Sequence, residues 1–290
     1  VKQKFSGTPA EEATSIEILA APSTPILTLS PPTQTITITA PATITPALTI
    51  TQTPIQTLTP VLPTPTLGIG STMTGKDGMP LVYIPAGEFT MGSENYNDEK
   101  PAHTVTLDAF WVDQTEVTNA MYATCVGDGE CALPNSTRSL SRASYFGNAE
   151  YNNYPVIYVD WNMAKAYCEW ADRRLPTEAE WEKAARGPDA NIYPWGNNVP
   201  SANLLNFYDN IGDTTEVGKY PDGKSIYGAL DMAGNVGEWV SSLYQPYPYS
   251  AEDGRENLNS SEARVVRGGT FFQCEINTRS SNRDGGSPYY

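Results

Sequence analysis

RLPTEAEWE, Arg174 to Glu182, reads as a helix start and sets the frame for the rest of the chain. Pro176 closes the preceding segment. Thr177 is placed to cap, and Glu180 follows three residues later, the T-x-x-E spacing of a capping box whose two side chains satisfy backbone N–H groups at the first turn. The helix is expected to run to about Arg186. Ala179, Trp181, Ala184 and Ala185 recur at helical spacing, so an apolar stripe should face a core, with Glu178, Glu182 and Lys183 turned to water. On that reading Glu178 and Glu180 are solvated or capping groups and carry no chemistry.

Outward from this helix the chain divides sharply. Between Ile18 and Gly75 no residue is charged, and phrases such as TITITAPATITPALTI repeat Thr, Pro and small apolar residues. Frequent prolines remove backbone donors, so residues 1–75 are expected to form a disordered, extended Thr/Pro-rich stalk without a core. It is too rich in Thr and Pro for a membrane helix. Residues 76–290 are long enough for one domain with a sizeable core. The formal net charge of -15 argues against nucleic acid and anionic membranes as partners and favours cations. The chain begins at Val1 with no signal peptide, so any membrane anchor is expected upstream, and the final GGSPYY suggests a truncated C-terminus.

MPLVYIPAGEFTMGS (Met79–Ser93) reads as two short strands around a Pro-Ala-Gly turn, and the alternation in HTVTLDAFWVD as a half-buried strand leading to a helix capped by Thr118. VIYVD is expected to be a strand, with Asp160 capping a helix from Asn162 to Arg173. The loop-like stretch from Pro188 to Gly228 needs a bound ion or a covalent tie to stay ordered. NVGEWVSSLY and RVVRGGTFFQCEINTRSSNR read as strands, with Gly268 and Gly269 marking a bulge or a close backbone approach.

The chain has four cysteines. Cys125 and Cys131 flank VGDGE, a loop flexible enough for a local disulfide, which suits an oxidising compartment. Cys168 and Cys274 are either paired with each other or buried and free. The single histidine, His103, heads a strand and is expected to make a structural hydrogen bond.

LVYIPAGEFTMGS, EVTNAMY, VDWNMAKAYCEWADRRLPTEAEWEKAARG, YPWGN, YGALDMAGNVGEW and RVVRGGTF, in this order from Met79 onward, resemble the formylglycine-generating enzyme family, also called sulfatase-modifying factors. The resemblance extends to Arg283. It implies an α+β fold, a C-type-lectin-like variant low in regular secondary structure and stabilised by calcium. The stalk resembles linkers that, in multidomain bacterial proteins, join such domains to an anchor or a kinase. Carried over by position, one calcium site would use Asn203, the Leu204 carbonyl, Asp209 and the Ile211 carbonyl. A second would use Asp231, the Gly234 and Val236 carbonyls and Glu238, all hard oxygen donors. The family partner of Cys168 lies in a G-F-R-C phrase that this chain lacks.

Oxidases of the family convert a sulfatase cysteine to formylglycine with oxygen and a copper ion held by two cysteines, because soft thiolates favour Cu(I). The matching positions here are Gln273 and Thr278. Cys274 stands one residue late, which on a strand turns its side chain to the opposite face. Related sulfoxide synthases use three histidines and this chain has one. Copper is therefore not expected.

Three functions follow. One is an extracytoplasmic recognition module in which Phe271, Phe272, Asn277, Asn282 and Arg283 face a protein, peptide or glycan ligand. The second is a formylglycine-generating oxidase acting on a sulfatase through a non-standard site at Cys274. The third is a structural assembly domain.

Overall fold

The structure, a computed structural model, describes residues 4–5 and 67–289, so the expectation of an extended stalk falls almost wholly outside the described residues. Nine short strands are described. β1 (Lys4–Phe5), β2 (Thr72–Thr74), β3 (Pro80–Ile84) and β6 (Phe110–Asp113) form one antiparallel sheet in the order β1-β6-β3-β2. β4 (Gly87–Met91) pairs with β5 (His103–Leu107), and β7 (Glu238–Leu243), β8 (Arg264–Arg267) and β9 (Asp284–Gly286) form the third sheet. β2 precedes Lys76 and pairs Met73 with Leu81, so ordered pairing starts upstream of the expected domain boundary.

Three helices are described: α1 (Asn119–Gly127), α2 (Trp161–Trp170) and α3 (Glu178–Arg186). Each starts where the sequence places a cap. Thr118 accepts from Met121 N, Asp160 from Met163 N, and Thr177 and Glu180 close the full capping box of α3. Such a cap stabilises a helix by about 1 kcal/mol. α1 and α2 bury Tyr122, Cys125, Tyr167 and Cys168 in one apolar cluster. Cys125 and Cys131 form the expected disulfide, with Cα atoms 5.3 Å apart. His103 is structural: Nδ1 lies 2.8 Å from the Pro101 carbonyl and Nε2 accepts from Tyr249 N–H at 2.8 Å.

Three expectations are corrected. The alternating stretch after His103 is two strands in two sheets, β5 and β6. Val156–Asp160 forms no strand; Val156 N donates to the Val117 carbonyl and the chain then turns into α2, which ends at Trp170, short of Arg173. Phe271 to Asn277, predicted as strand, is a chain of turns.

The largest correction concerns α3. It packs against β4 and β7, and every residue from Glu178 to Arg186 is buried. Trp181 enters the second apolar cluster beside Val82, Phe110 and Val265. The face assigned to water meets protein instead. Lys183 Nζ donates to the Pro85 and Gly87 carbonyls, both at 2.8 Å, fixing the turn between β3 and β4. Glu182 accepts from Gly92 N–H and from Arg186, each at 2.7 Å. A helix buried on all sides is normally apolar all round; this one is admitted because its charges find partners inside.

Candidate functional site

The arrangement is built from β8 outward. Arg267, the last residue of β8, is fully buried, and its Nη2 donates to Glu178 at 2.7 Å, to Glu182 at 2.8 Å and to the Tyr247 hydroxyl at 2.8 Å. Its Nη1 reaches the carbonyls of Ser280 and Asn282, each at 3.0 Å. Arg283 grips Glu178 with two bonds at 2.7 and 2.8 Å and lies over the rings of Tyr244 and Tyr247. Burial pushes the Tyr247 phenol well above its ordinary range, so it stays protonated among these charges. Arg283 was expected to face a ligand; it is committed to the interior, and Asn282 is buried beside it.

Beyond β8 the chain reverses at Gly268 and Gly269, both with positive φ, and a Cβ on Gly269 would lie 2.7 Å from the Asn277 carbonyl. The close approach expected there is therefore present. Phe271 to Ser280 is held by contacts along its length. Phe271 N donates to the Asn235 carbonyl, Asp209 N to the Phe271 carbonyl, Tyr208 N to the Gln273 carbonyl, and Ser280 N to the Ile192 carbonyl. Arg279 pairs with Glu99 through bonds of 2.6 and 2.9 Å and stacks over Tyr96 at 4.2 Å. Burial pushes the Glu99 carboxyl up, but the Arg279 bonds and charge and the Ser93 hydroxyl outweigh it and hold Glu99 below its ordinary 4.5.

Of the residues expected to face a ligand, Phe272 is 58% exposed and Phe271 packs edge-on beneath it. Asn277 is partly exposed and its Oδ1 lies 3.4 Å from the Cys274 sulfur. Ile192, Tyr208, Ile211 and Ile276 add exposed apolar side chains from segments hydrogen-bonded to this loop or within it. Sequence reading missed Tyr208 and Ile192, whose membership depends on backbone bonds between distant loops.

Gln273 Oε1 accepts from Thr270 at 3.3 Å, and Thr278 is fully buried with its hydroxyl donating to the Glu275 carbonyl at 3.0 Å. Cys274 is partly exposed and unbonded to another cysteine; Cys168 is free and fully buried, and burial pushes its thiol far above the usual range. An amide and a hydroxyl are hard donors, so these residues do not fit a two-thiolate copper site.

The expected calcium donors occupy two loops. Asp231 and Asn235 have φ of 54° and 56°, and Gly234 of 74°, which folds Asp231–Glu238 back on itself and suits carbonyl donation from within one loop. Asp231 Oδ2 accepts from Gly218 N–H at 2.6 Å and Glu238 Oε2 from the Trp181 indole at 2.7 Å. Such oxygens are donors of the type calcium takes, while among the described residues no three His, Cys, Asp or Glu side chains gather as a metal-holding group. In the other loop Asn203, Asp209 and Ile211 are exposed, and the Leu204 carbonyl points at Gly223, 2.0 Å from where a Cβ there would stand.

The model of the sulfatase-modifying factor enzyme 1-like domain matches residues 71–290. The chain belongs to this family. The sulfatase-modifying factor domain here is 34% identical over 252 residues to hercynine oxygenase of Mycolicibacterium smegmatis, covering 71% of this chain and 58% of that protein. It is 30% identical over 256 residues to the formylglycine-generating enzyme of Mus musculus, covering 66% of each. Among solved structures, PvdO from Pseudomonas aeruginosa superposes with a TM-score of 0.61 at 27% identity, over 77% of this chain and 94% of that one. The low content of regular structure in this chain agrees with the C-type-lectin-like architecture. The chain spans little more than half the length of the hercynine oxygenase.

Proposed function

We propose that this sulfatase-modifying factor domain is a recognition module, calcium-stabilised and acting outside the cytoplasm, that binds a protein, peptide or glycan rather than oxidising a thiol. One observation carries the reading: the two positions that bear copper-binding cysteines in the oxidases hold Gln273 and a buried Thr278, each already hydrogen-bonded. Beside them, Phe272, Ile276 and Tyr208 offer exposed apolar contact on a loop pinned from below. Aromatic side chains on a rigid base bind at low entropic cost. A sulfatase is one protein partner compatible with this face. Calcium held by Asp231, Glu238 and the Gly234 and Val236 carbonyls would brace the loop that supplies the Asn235 carbonyl to Phe271.

The test has two arms. Titration with Cu(I) against a competing chelator, together with a cysteine-containing sulfatase peptide followed by mass spectrometry, should show neither stoichiometric copper nor conversion. Conversion that vanishes in Cys274→Ser would establish the oxidase instead. Peptide and glycan arrays should return a ligand whose binding is lost in Phe272→Ala and Tyr208→Ala; a blank array would leave a structural assembly role.

A further inference from the structure

A cleft of about 190 Å3 lies between α2, the segment before α3 and the β7–β8 connection, and it shares no residue with the face just described. Its walls are apolar: Trp161, Leu175 and Leu258. The indole nitrogen of Trp161 is already bonded to the Val240 carbonyl at 2.8 Å, so the ring offers only hydrocarbon. A cavity of about 150 Å3 accommodates benzene, so this space takes an aliphatic stem of similar bulk.

The charges of the lining are uneven. Lys165 pairs with Glu169 at 2.6 Å and Arg174 with Glu180 at 2.8 Å, which neutralises both rim cations. Glu256 makes no ion pair among the described residues. The nearby Arg264, whose charge reaches Glu256, gives its two terminal nitrogens to the Ser241, Asn257 and Ser260 carbonyls, leaves its buried Nε without a hydrogen-bond partner among the described residues, and stacks on Trp161 at 4.0 Å. Three hydroxyls hold the Glu256 carboxylate in place. Ser242 and Tyr249 donate to Oε1, and Ser241 donates to Oε2 at 2.7 Å. A carboxylate has about two acceptor directions per oxygen, so Oε1 is filled and Oε2 keeps one.

We infer that this cleft binds an alkylammonium group, its stem against Trp161, Leu175 and Leu258 and its nitrogen donating to Glu256 Oε2. A single remaining acceptor direction matches a point-like ammonium and not the two-pronged fork of a guanidinium, which needs both oxygens. The acidic chain, with net charge -15, favours the approach of such a cation. The group could come from a lysine side chain of a peptide or from a free aliphatic amine, and the probes separate these.

Calorimetric titration with n-hexylamine should give saturable binding, with n-hexanol and n-hexylguanidine weaker by about tenfold or more, the effect of losing one charge-assisted hydrogen bond. Glu256→Gln should weaken hexylamine by a similar factor, its fold checked by near-ultraviolet circular dichroism. Leu258 is 45% exposed, so Leu258→Lys is the second variant: its own ammonium should occupy Glu256 and abolish hexylamine binding. A peptide with one central lysine that binds tighter than hexylamine assigns the ligand to a protein, and the reverse order to a free amine. Equal affinity for hexylamine and hexanol, or hexylamine binding unchanged in both variants, overturns the inference.

Discussion

Helix α3 and the loop from Phe271 to Ser280 invert the usual distribution of side chains. The helix is fully buried yet carries Glu178, Glu180, Glu182, Lys183 and Arg186, whereas the loop is at the surface and carries Phe272 and Ile276 in the open. The two are physically joined, since Arg267 bonds Glu178 and Glu182 on one side and the Ser280 and Asn282 carbonyls on the other. Sheets of two to four short strands cannot seat long loops by ladder bonds. Buried guanidinium groups, each with several donors in fixed directions, reach loop carbonyls that no strand approaches. Desolvating these ions costs several kcal/mol each, offset only where every partner is in place. Charge inside is thus what permits apolar side chains to stand outside on an ordered loop.

Removing the hub should break this arrangement most severely. Arg267→Leu leaves Glu182 with Arg186 and the Gly92 N–H and removes one of the two arginines on Glu178, and unfolding in urea should show a loss of about 3–5 kcal/mol; a loss below about 1 kcal/mol would mean that the cluster is not what seats the loop. Glu99→Gln, which cuts the charge on the Arg279 anchor, should cost roughly 1.5–3 kcal/mol and speed amide exchange of Thr278 and Ser280 above that of α3. If exchange rises equally in both, the loop has no separate anchor.

Acid titration reads the same contacts without mutation. Glu99 and Asp77 are both held below their ordinary values of 4.5 and 3.8, the second because the Arg173 bond and charge, with the Tyr167 hydroxyl, outweigh burial. Depressed carboxyls contribute fully above those values, and the contribution is lost as pH falls through the lowered ones. Stability measured by chemical denaturation should therefore hold at neutral pH and decline below about pH 4.5, less steeply in Glu99→Gln. A calcium chelator should lower the melting temperature; an unchanged melt would remove the proposed site at Asp231 and Glu238. The smallest effect belongs to Phe272→Ala, expected within about 0.5 kcal/mol of the parent because the side chain is largely solvated, and it should alter ligand binding alone.

Local signals were legible and distant ones were not. The caps at Thr118, Asp160 and Thr177 lie within three residues of what they satisfy, and the Gly268–Gly269 turn needs only the steric demand of its own backbone. The inward face of α3 was hidden because its partners Arg267 and Arg283 lie 89 and 105 residues from Glu178. Arginines within the apolar run RVVR were the available hint, since a cation buried on a strand needs partners supplied from elsewhere, carboxylates for Arg267 and carbonyls for Arg264. FFQCEI has the composition of a strand, but its backbone groups bond to Asn235, Tyr208 and Asp209, so tertiary pairing overrides propensity. Substitution at the copper-binding positions could be read by counting from RGG; the burial of Thr278 and the inward turn of Arg283 required coordinates.

The tethering of the loop at both ends separates the residues that hold its shape from those that fill it. Arg267, Arg279 and the paired glycines fix the path of the backbone, while Phe272, Glu275 and Ile276 project from it without being needed for that path. Randomising those three positions would therefore yield a combinatorial library on an unchanged frame, and new specificities could be selected from this chain as they are from antibody hypervariable segments.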